Sequence, residues 1–315
     1  MKDVAVLIPT LRRPDSLTRA LRSVFAQAQV AERLLEVVVI DNDPNGSAKF
    51  AVGALERECP VPLIYVHEET PGVATARNAG LKATGAAFIA FLDDDEEATE
   101  AWLASLLETQ SRFDADAVFG PIAGLAPDAP EALRPWLKRF FSREGPMQSG
   151  PIDHGYGCGN SLLKRETVLI GERPFDVRHD QIGGEDDALF SALQARGGRF
   201  AWAADALVFE HAPAHRATLA YALTRGFAYG QGPSQTAARE RRWGSVAKWM
   251  AVGAAQAAVY GPLAAIQWLM GAESCWDTLD RMVRGLGKVF WTERFEPKVY
   301  GQAEVARNAA AELPI

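Results

Sequence analysis

Cysteine is scarce: Cys59, Cys158 and Cys275 are the three in 315 residues. They lie far apart, show no C-x-x-C spacing and leave one thiol over under any pairing. Neither a disulfide framework nor a cysteine-built zinc site is expected, and a reducing compartment is. Basic residues are short as well, 33 Lys and Arg against 40 Asp and Glu, a net charge of −7. That balance argues against a nucleic-acid binder, which needs a phosphate-neutralising face. The N-terminus lacks a signal-peptide core, because the apolar run from Val4 to Ile8 stops at Pro9 and two arginines follow. The expectation is a chain whose active part stays in the cytoplasm. No internal repeat is visible, and low complexity is confined to an alanine-rich C-terminal end.

What is present is apolar content, 48% of residues against 23% charged, enough for one substantial core and a smaller second unit. Early in the chain, short β-branched runs alternate with helix-period segments, the pattern of parallel strands joined by crossover helices. The class is therefore α/β. Strands are predicted at Val4 to Ile8, Leu35 to Ile40, Leu63 to Val66, Ala87 to Leu92 and Val118 to Pro121. Helices are predicted behind Pro14-Asp15-Ser16, from Val73 to Ala83, and around Trp102, Leu103, Leu106 and Leu107.

Polar residues gather where these strands end: Thr10 and Arg12, then Asp41 and Asp43, then Asp93, Asp94 and Asp95. Ligand crevices of open α/β sheets lie beyond the carboxyl ends of the strands, so three segments point at one site. Three carboxylates in a row repel one another unless a cation shares them. Mg²⁺ or Mn²⁺, bound by one or two carboxylates plus phosphate oxygens, is the usual partner where a diphosphate is handled. The plainer alternative is a solvated acidic turn extended by Glu96 and Glu97. Residues 126–151, rich in proline and charge with Trp136, Phe140 and Phe141 interleaved, show no period and predict a mobile excursion over the site. Gly155, Gly157 and Gly159 lack the strand-to-helix context of a dinucleotide fingerprint. Small residues there would let the backbone approach a ligand, with Asn160 as a hydrogen-bonding group. Glu185, Asp186 and Asp187 open a helix, where carboxylates favour the dipole whatever else they do.

The runs PTLRRPDSLTRALRS, VVVIDND, TPGVATARNAGLKATGAAFIAFLDDDE, GCGNSLLKR and GGEDDALFSAL together resemble an inverting family 2 glycosyltransferase, and are most similar to the bacterial exopolysaccharide-building branch. The resemblance covers about residues 3–225. It implies a GT-A fold, a mostly parallel central sheet flanked by helices, as a catalytic domain over 1–235 with a helical C-terminal region over 236–315. It also implies transfer of a hexose, glucose foremost, from a UDP-sugar to a hydroxyl of a lipid-linked saccharide at the inner face of the cytoplasmic membrane, with Mn²⁺ or Mg²⁺.

Position by position, Pro9, Thr10, Arg12 and Asp41 match the segments that hold base and ribose, and Arg77 with Asn78 matches the lining of the nucleotide pocket. Asp93, Asp94 and Asp95 match the D-x-D element, in which the last carboxylate binds the metal and its neighbours hold ribose and phosphate, with Asp93 a second metal candidate. Gly159 and Asn160 fall toward the donor sugar. Asp186 matches the catalytic base, with Glu185 as runner-up, His211 a metal ligand, and Arg216 a cation near the diphosphate. The chemistry is coherent: an inverting transfer needs a carboxylate to take the acceptor proton, and cations to stabilise the leaving diphosphate. For His211 the plain reading is a hydrogen-bonded structural residue, and for Arg12, Arg13 and Arg216 a surface charge.

Two rivals compete. A sugar nucleotidyltransferase would need a glycine-rich phosphate loop after the first strand, which Pro9-Thr10-Leu11 does not offer. A non-catalytic nucleotide- or carbohydrate-binding protein would not need both Asp186 and the aspartate triplet. In the C-terminal region, Met250 to Met270 carries no charge and as one helix would be about 32 Å long, close to a bilayer core. Its alanines and the Gly261-Pro262 pair favour two short helices, packed on the catalytic domain or lying at a membrane surface. Arg281 to Trp291 predicts a basic amphipathic helix, suited to a lipid interface or to ordinary packing.

Overall fold

The computed structural model describes residues 2–298 and Gly301. Strand β1 (Val4–Thr10) is apolar along almost its whole length because both of its faces are covered. Val4, Val6 and Ile8 enter one core and Ala5 and Leu7 the other, the double burial that lets a parallel strand dispense with polar alternation. After it come β2 (Leu34–Asp41), β3 (Leu63–His67), β4 (Phe88–Phe91), β5 (Glu96–Ala98), β6 (Ala117–Phe119) and β7 (Ile122–Leu125). Four more follow: β8 (Gly150–Ile152), β9 (Ser161–Lys164), β10 (Phe200–Trp202) and β11 (Val208–His211). The main sheet runs β3-β2-β1-β4-β9-β6-β10-β8, and β5-β11-β7 form a second, small sheet. The β3-β2-β1-β4 half is parallel throughout, while β9 is antiparallel to both β4 and β6. This is the mostly parallel, helix-flanked α/β architecture expected.

Helix α1 (Pro14–Phe25) starts with proline in its first turn and buries the stripe Leu17, Ala20, Leu21 and Val24. The others are α2 (Lys49–Leu55), α3 (Val73–Lys82), α4 (Trp102–Phe113), α5 (Arg134–Phe141), α6 (Arg165–Val168), α7 (Glu185–Ala195), α8 (Leu219–Arg239), α9 (Trp243–Leu269) and α10 (Cys275–Val289). Among the described residues, α2 and the three-residue strands β5, β8 and β10 were not predicted, being too short to show a period, whereas β6 overlaps the strand expected at Val118 to Pro121.

The described chain forms two units. The first holds residues up to 125, residues 141–211 and Gly301; the second holds 126–140 and 212–298. The division falls earlier than the 235/236 boundary drawn from the sequence, and the alanine-rich end lies outside the described residues. Two expectations need correction. Residues 126–151, expected to hold no regular element, contain α5 and the start of β8, with Trp136 and Leu137 of α5 buried and the Trp136 ring 5.7 Å from that of Phe140. The charge-free run is not two helices but the single α9, with Pro262 inside it. Packing overrides the proline: α9 and α10 approach so closely at Gly253 and Gly285 that a Cβ on Gly253 would lie 2.4 Å from the Gly285 carbonyl oxygen.

Candidate active site

The crossover direction reverses between β1 and β4, and there the ends of three strands converge. Thr10 sits beside Asp41 in the β1–β2 register and Leu7 beside Phe91 in the β1–β4 register. Immediately beyond β4, Asp94 accepts a hydrogen bond from the Thr10 hydroxyl (2.7 Å) and another from Arg13 Nη1 (2.8 Å). The same Arg13 nitrogen reaches Asp95 Oδ2 at 2.9 Å. Arg13, not Arg12, therefore bridges the acidic triplet, and Arg12 pairs with Asp43 at 3.1 Å. Arg12 is held at φ 56, the left-handed region that costs a non-glycine residue about 1 kcal/mol or more.

Asp41 is fully buried and accepts from the Ala48 amide (2.7 Å), the Tyr65 hydroxyl (2.9 Å) and the Asp43 amide (3.2 Å). Asn42 ties this strand end to the α3 entrance, accepting the Gly72 amide and donating to the Glu68 and Thr70 carbonyls. Pro9 lies on β1 opposite Ile40. Tyr65 was not singled out from the sequence, where it reads as one more apolar strand position.

The opposite side of the site is carried by α7. Gly183 and Gly184 adopt φ 83 and 88 ahead of it, a conformation glycine takes without steric cost. Glu185 is buried in an ion pair with Arg77 of α3, and another nitrogen of Arg77 lies 3.7 Å from Asp93. The Arg77 guanidinium stands over the rings of Phe91 (5.8 Å) and Phe175 (5.6 Å). Burial and the neighbouring Asp186 charge push the Glu185 carboxyl up to about 7, against the opposing pull of Arg77. Asp186 is only half-buried, with Oδ2 accepting from the Cys158 amide at 3.3 Å and Oδ1 from the Asp187 amide at 2.9 Å. The Cys158 thiol is driven well up by burial, which leaves it without thiolate character.

One glycine-rich segment joins the two sides. A Cβ on Gly159 would stand 2.6 Å from Asp93 Oδ2, and one on Gly157 would stand 3.3 Å from Asp186 Oδ2. Asn160, at φ 50, is fully buried and fixes this segment. Its side-chain nitrogen donates to the Pro121 and Ala206 carbonyls and its oxygen accepts from Trp102 Nε1. Asn160 therefore locks the backbone, where the sequence pointed to a sugar contact. Asn78 behaves likewise, exchanging two hydrogen bonds with the backbone of Phe175. Arg143, which lies in a segment without period and was missed, donates to the carbonyls of Gly120, Gly157, Gly159 and Asn160. Glu96 accepts the Asp93 and Asn160 amides, and burial together with the Asp93 charge raises its carboxyl well above the usual range.

His211 ends β11 with its amide bonded to the Asp95 carbonyl and its Nε2 2.8 Å from Glu97. Arg216 belongs to the second unit, its guanidinium 5.8 Å from the Tyr221 ring centre. Among the described residues no three His, Cys, Asp or Glu converge as an all-protein metal cage. A hard cation held by one or two carboxylates and completed by phosphate oxygens needs no such cage. Asp93 and Asp95 can supply such carboxylates, Asp95 being shared here with Arg13, while the His211 imidazole is taken up by Glu97.

Residues 5–169 match the model of the family described as Glycosyl transferase family 2, and the chain belongs to that family. It is 38% identical over 225 residues to the succinoglycan biosynthesis protein ExoM of Rhizobium meliloti, covering 70% of this chain and 71% of that one. It is 32% identical over 107 residues to the Escherichia coli UDP-Glc:alpha-D-GlcNAc-diphosphoundecaprenol beta-1,3-glucosyltransferase WfgD, covering 34% and 39%. Among solved structures, the mannosyltransferase PcManGT of Pyrobaculum calidifontis, in complex with GDP-Man and Mn²⁺, aligns with TM-score 0.61 at 18% identity over 93% of this chain and 88% of that one. The fold is thus GT-A-like and the protein is a glycosyltransferase, which removes the nucleotidyltransferase and the non-catalytic binding protein as readings.

Proposed function

We propose that the protein transfers a hexose from a UDP-sugar to a hydroxyl of a lipid-linked saccharide, with inversion, in cell-surface polysaccharide synthesis. The observation that carries this reading is that one short segment meets two carboxylates, Asp93 against Gly159 and Asp186 against Gly157. Thr10 and Arg12 line the nucleoside pocket, the buried Asp41 fixes that strand end through Ala48, Tyr65 and Asp43, and Arg13 orients Asp94 and Asp95 toward the diphosphate. Asp95 and Asp93, with His211 beside them, are the residues that would hold Mn²⁺ or Mg²⁺. Such a cation, when bound, neutralises charge that develops on the leaving diphosphate.

Asp186 takes the proton of the acceptor hydroxyl as that oxygen bonds to the anomeric carbon and the bond to the diphosphate oxygen breaks. Attack from the face opposite the leaving group inverts the centre. Asp186 is favoured over Glu185 because Glu185 is buried against Arg77, whereas a base must reach solvent-delivered acceptor. The Escherichia coli relative, named for UDP-glucose and a diphosphoundecaprenol-linked sugar, supports the donor and the lipid-linked acceptor. A lipid-linked acceptor in turn favours a peripheral seat at the inner face of the cytoplasmic membrane.

Calorimetry with UDP, GDP, TDP and CMP, with and without Mn²⁺, tests the reading. Tight UDP binding that requires metal is expected. Preference for GDP would redirect the donor to GDP-sugars, and no binding by any nucleotide would overturn the proposal.

A further inference from the structure

Charge is divided unequally between the two units. Residues 126–140 and 212–298 hold 14 Lys and Arg against eight Asp and Glu, a net of +6, while the rest of the chain holds 19 against 32, a net of −13. The basic unit also carries the helix least covered by protein: only 11% of the most apolar window of α9 is buried. On that helix Val259, Leu263 and Ile266 recur at helical spacing, Met270 continues the row at its C-cap, and all are exposed. An uncharged stripe of this kind is far from an ordinary solvated helix face.

The partner of α9 decides how such a helix could meet a bilayer. Length and composition alone would allow α9 to cross one. Yet α10 lies along it, packed at Gly253 against Gly285, and carries Asp280, Arg281 and Arg284 through its middle and Lys288 in its last turn. Crossing would draw these charges into hydrocarbon, where each is costly. Lying flat avoids this, because α10 stays on the protein side while the stripe faces the acyl region. The basic residues sit at the other end of α9. Arg239, Arg241, Arg242 and Lys248 are exposed around its N-terminus beside exposed Trp243, the combination that seats a helix among anionic headgroups.

We infer that α9 is an in-plane membrane-binding helix, burying its Val259–Met270 stripe in an anionic lipid surface with its Arg239–Lys248 end among the headgroups. This deepens the reading of a lipid-linked acceptor and rests on it only for its purpose. The test contains neither donor nor acceptor, so its failure and the failure of the transfer reading are separate results.

The experiment is flotation of the full chain with phosphatidylcholine vesicles made with or without phosphatidylglycerol. Binding is expected chiefly to the anionic vesicles and is released by alkaline carbonate. Leu263→Glu combined with Ile266→Glu should weaken partitioning at least about tenfold on both vesicle types. Arg241→Ser combined with Arg242→Ser should remove most of the preference for anionic lipid and leave the residual binding. Circular dichroism and thermal melting of each variant serve as the control for folding. Binding untouched by the two glutamates overturns the assignment, and retention through carbonate overturns the in-plane orientation. A chain that ignores vesicles but changes from dimer to monomer on the Leu263/Ile266 substitution would give the stripe to a second copy and overturn the lipid proposal.

Discussion

On the strand-end side of the site, Asp41, Asp94 and Asp95 each accept short hydrogen bonds from groups on other segments. On the α7 side, Asp186 accepts one long bond from the Cys158 amide and one from its own neighbour. The first arrangement is built to hold fixed negative charge in place, as a nucleotide and cation require. The second leaves a carboxylate lightly engaged, as a group that must gain a proton during reaction requires. The adjacent Glu185 shows the contrast within a single helical turn, being buried, paired with Arg77 and raised to about 7. Position on α7, more than residue type, separates the proposed base from its scaffold.

The sharpest way to break this contrast is Asp186→Asn. Transfer is expected to fall about a thousandfold, within the usual range for loss of a general base, while UDP affinity stays within about twofold, because no nucleotide contact is assigned to Asp186. Steady-state kinetics beside calorimetry separate the two, and retained turnover would move the base to another residue. Asp95→Asn should act on the other side, weakening metal-dependent donor binding about a hundredfold, on the scale of disrupted metal sites. Normal donor affinity in the presence of Mn²⁺ would show that Asp95 does not hold the cation.

The same contrast shows what the sequence made legible. The parallel half of the sheet was readable because doubly buried strands such as β1 and β2 are continuous apolar runs, and because their polar residues stand at the ends. The acidic triplet and the Gly-Gly-Glu-Asp-Asp start of α7 were readable for the same reason, as local runs. What could not be read is the pairing between distant segments. Nothing near Arg13 announces that it, and not Arg12, spans Asp94 and Asp95. Asn160 looked like a ligand group because polar residues beside glycines often are, yet Trp102, Pro121 and Ala206 surround its amide. Arg143 had no local pattern at all, and its role appears only when four carbonyls from two loops face it. In α9 the Gly-Pro pair was given too much weight, because the close approach of α10 is invisible from one helix.

A milder substitution, Thr10→Val, sharpens the comparison on the donor side. It removes the hydroxyl that donates to Asp94 while keeping the volume of a β-branched strand residue. A hydrogen bond to a charged group contributes at least about 1.5 kcal/mol, so donor affinity should drop at least roughly tenfold, with turnover at saturating donor nearly unchanged. A fall in turnover without a change in affinity would mean that Asp94 acts on the reacting centre and not in binding.

The smallest effect is expected in stability, and it tests whether Glu185 is scaffold. A carboxyl raised from 4.5 to about 7 in the folded state keeps a proton there that the unfolded chain has already released. Folding therefore loses stability as pH rises through that interval and levels off above it. Glu185→Gln keeps the shape and an oxygen for Arg77 but cannot titrate. Its melting temperature should therefore fall less than that of the wild type between pH 5 and pH 8. Parallel curves for the two proteins would mean that Glu185 stays charged in its pair with Arg77 throughout. The contrast between a scaffold carboxyl and a reactive one on α7 would then rest on geometry alone.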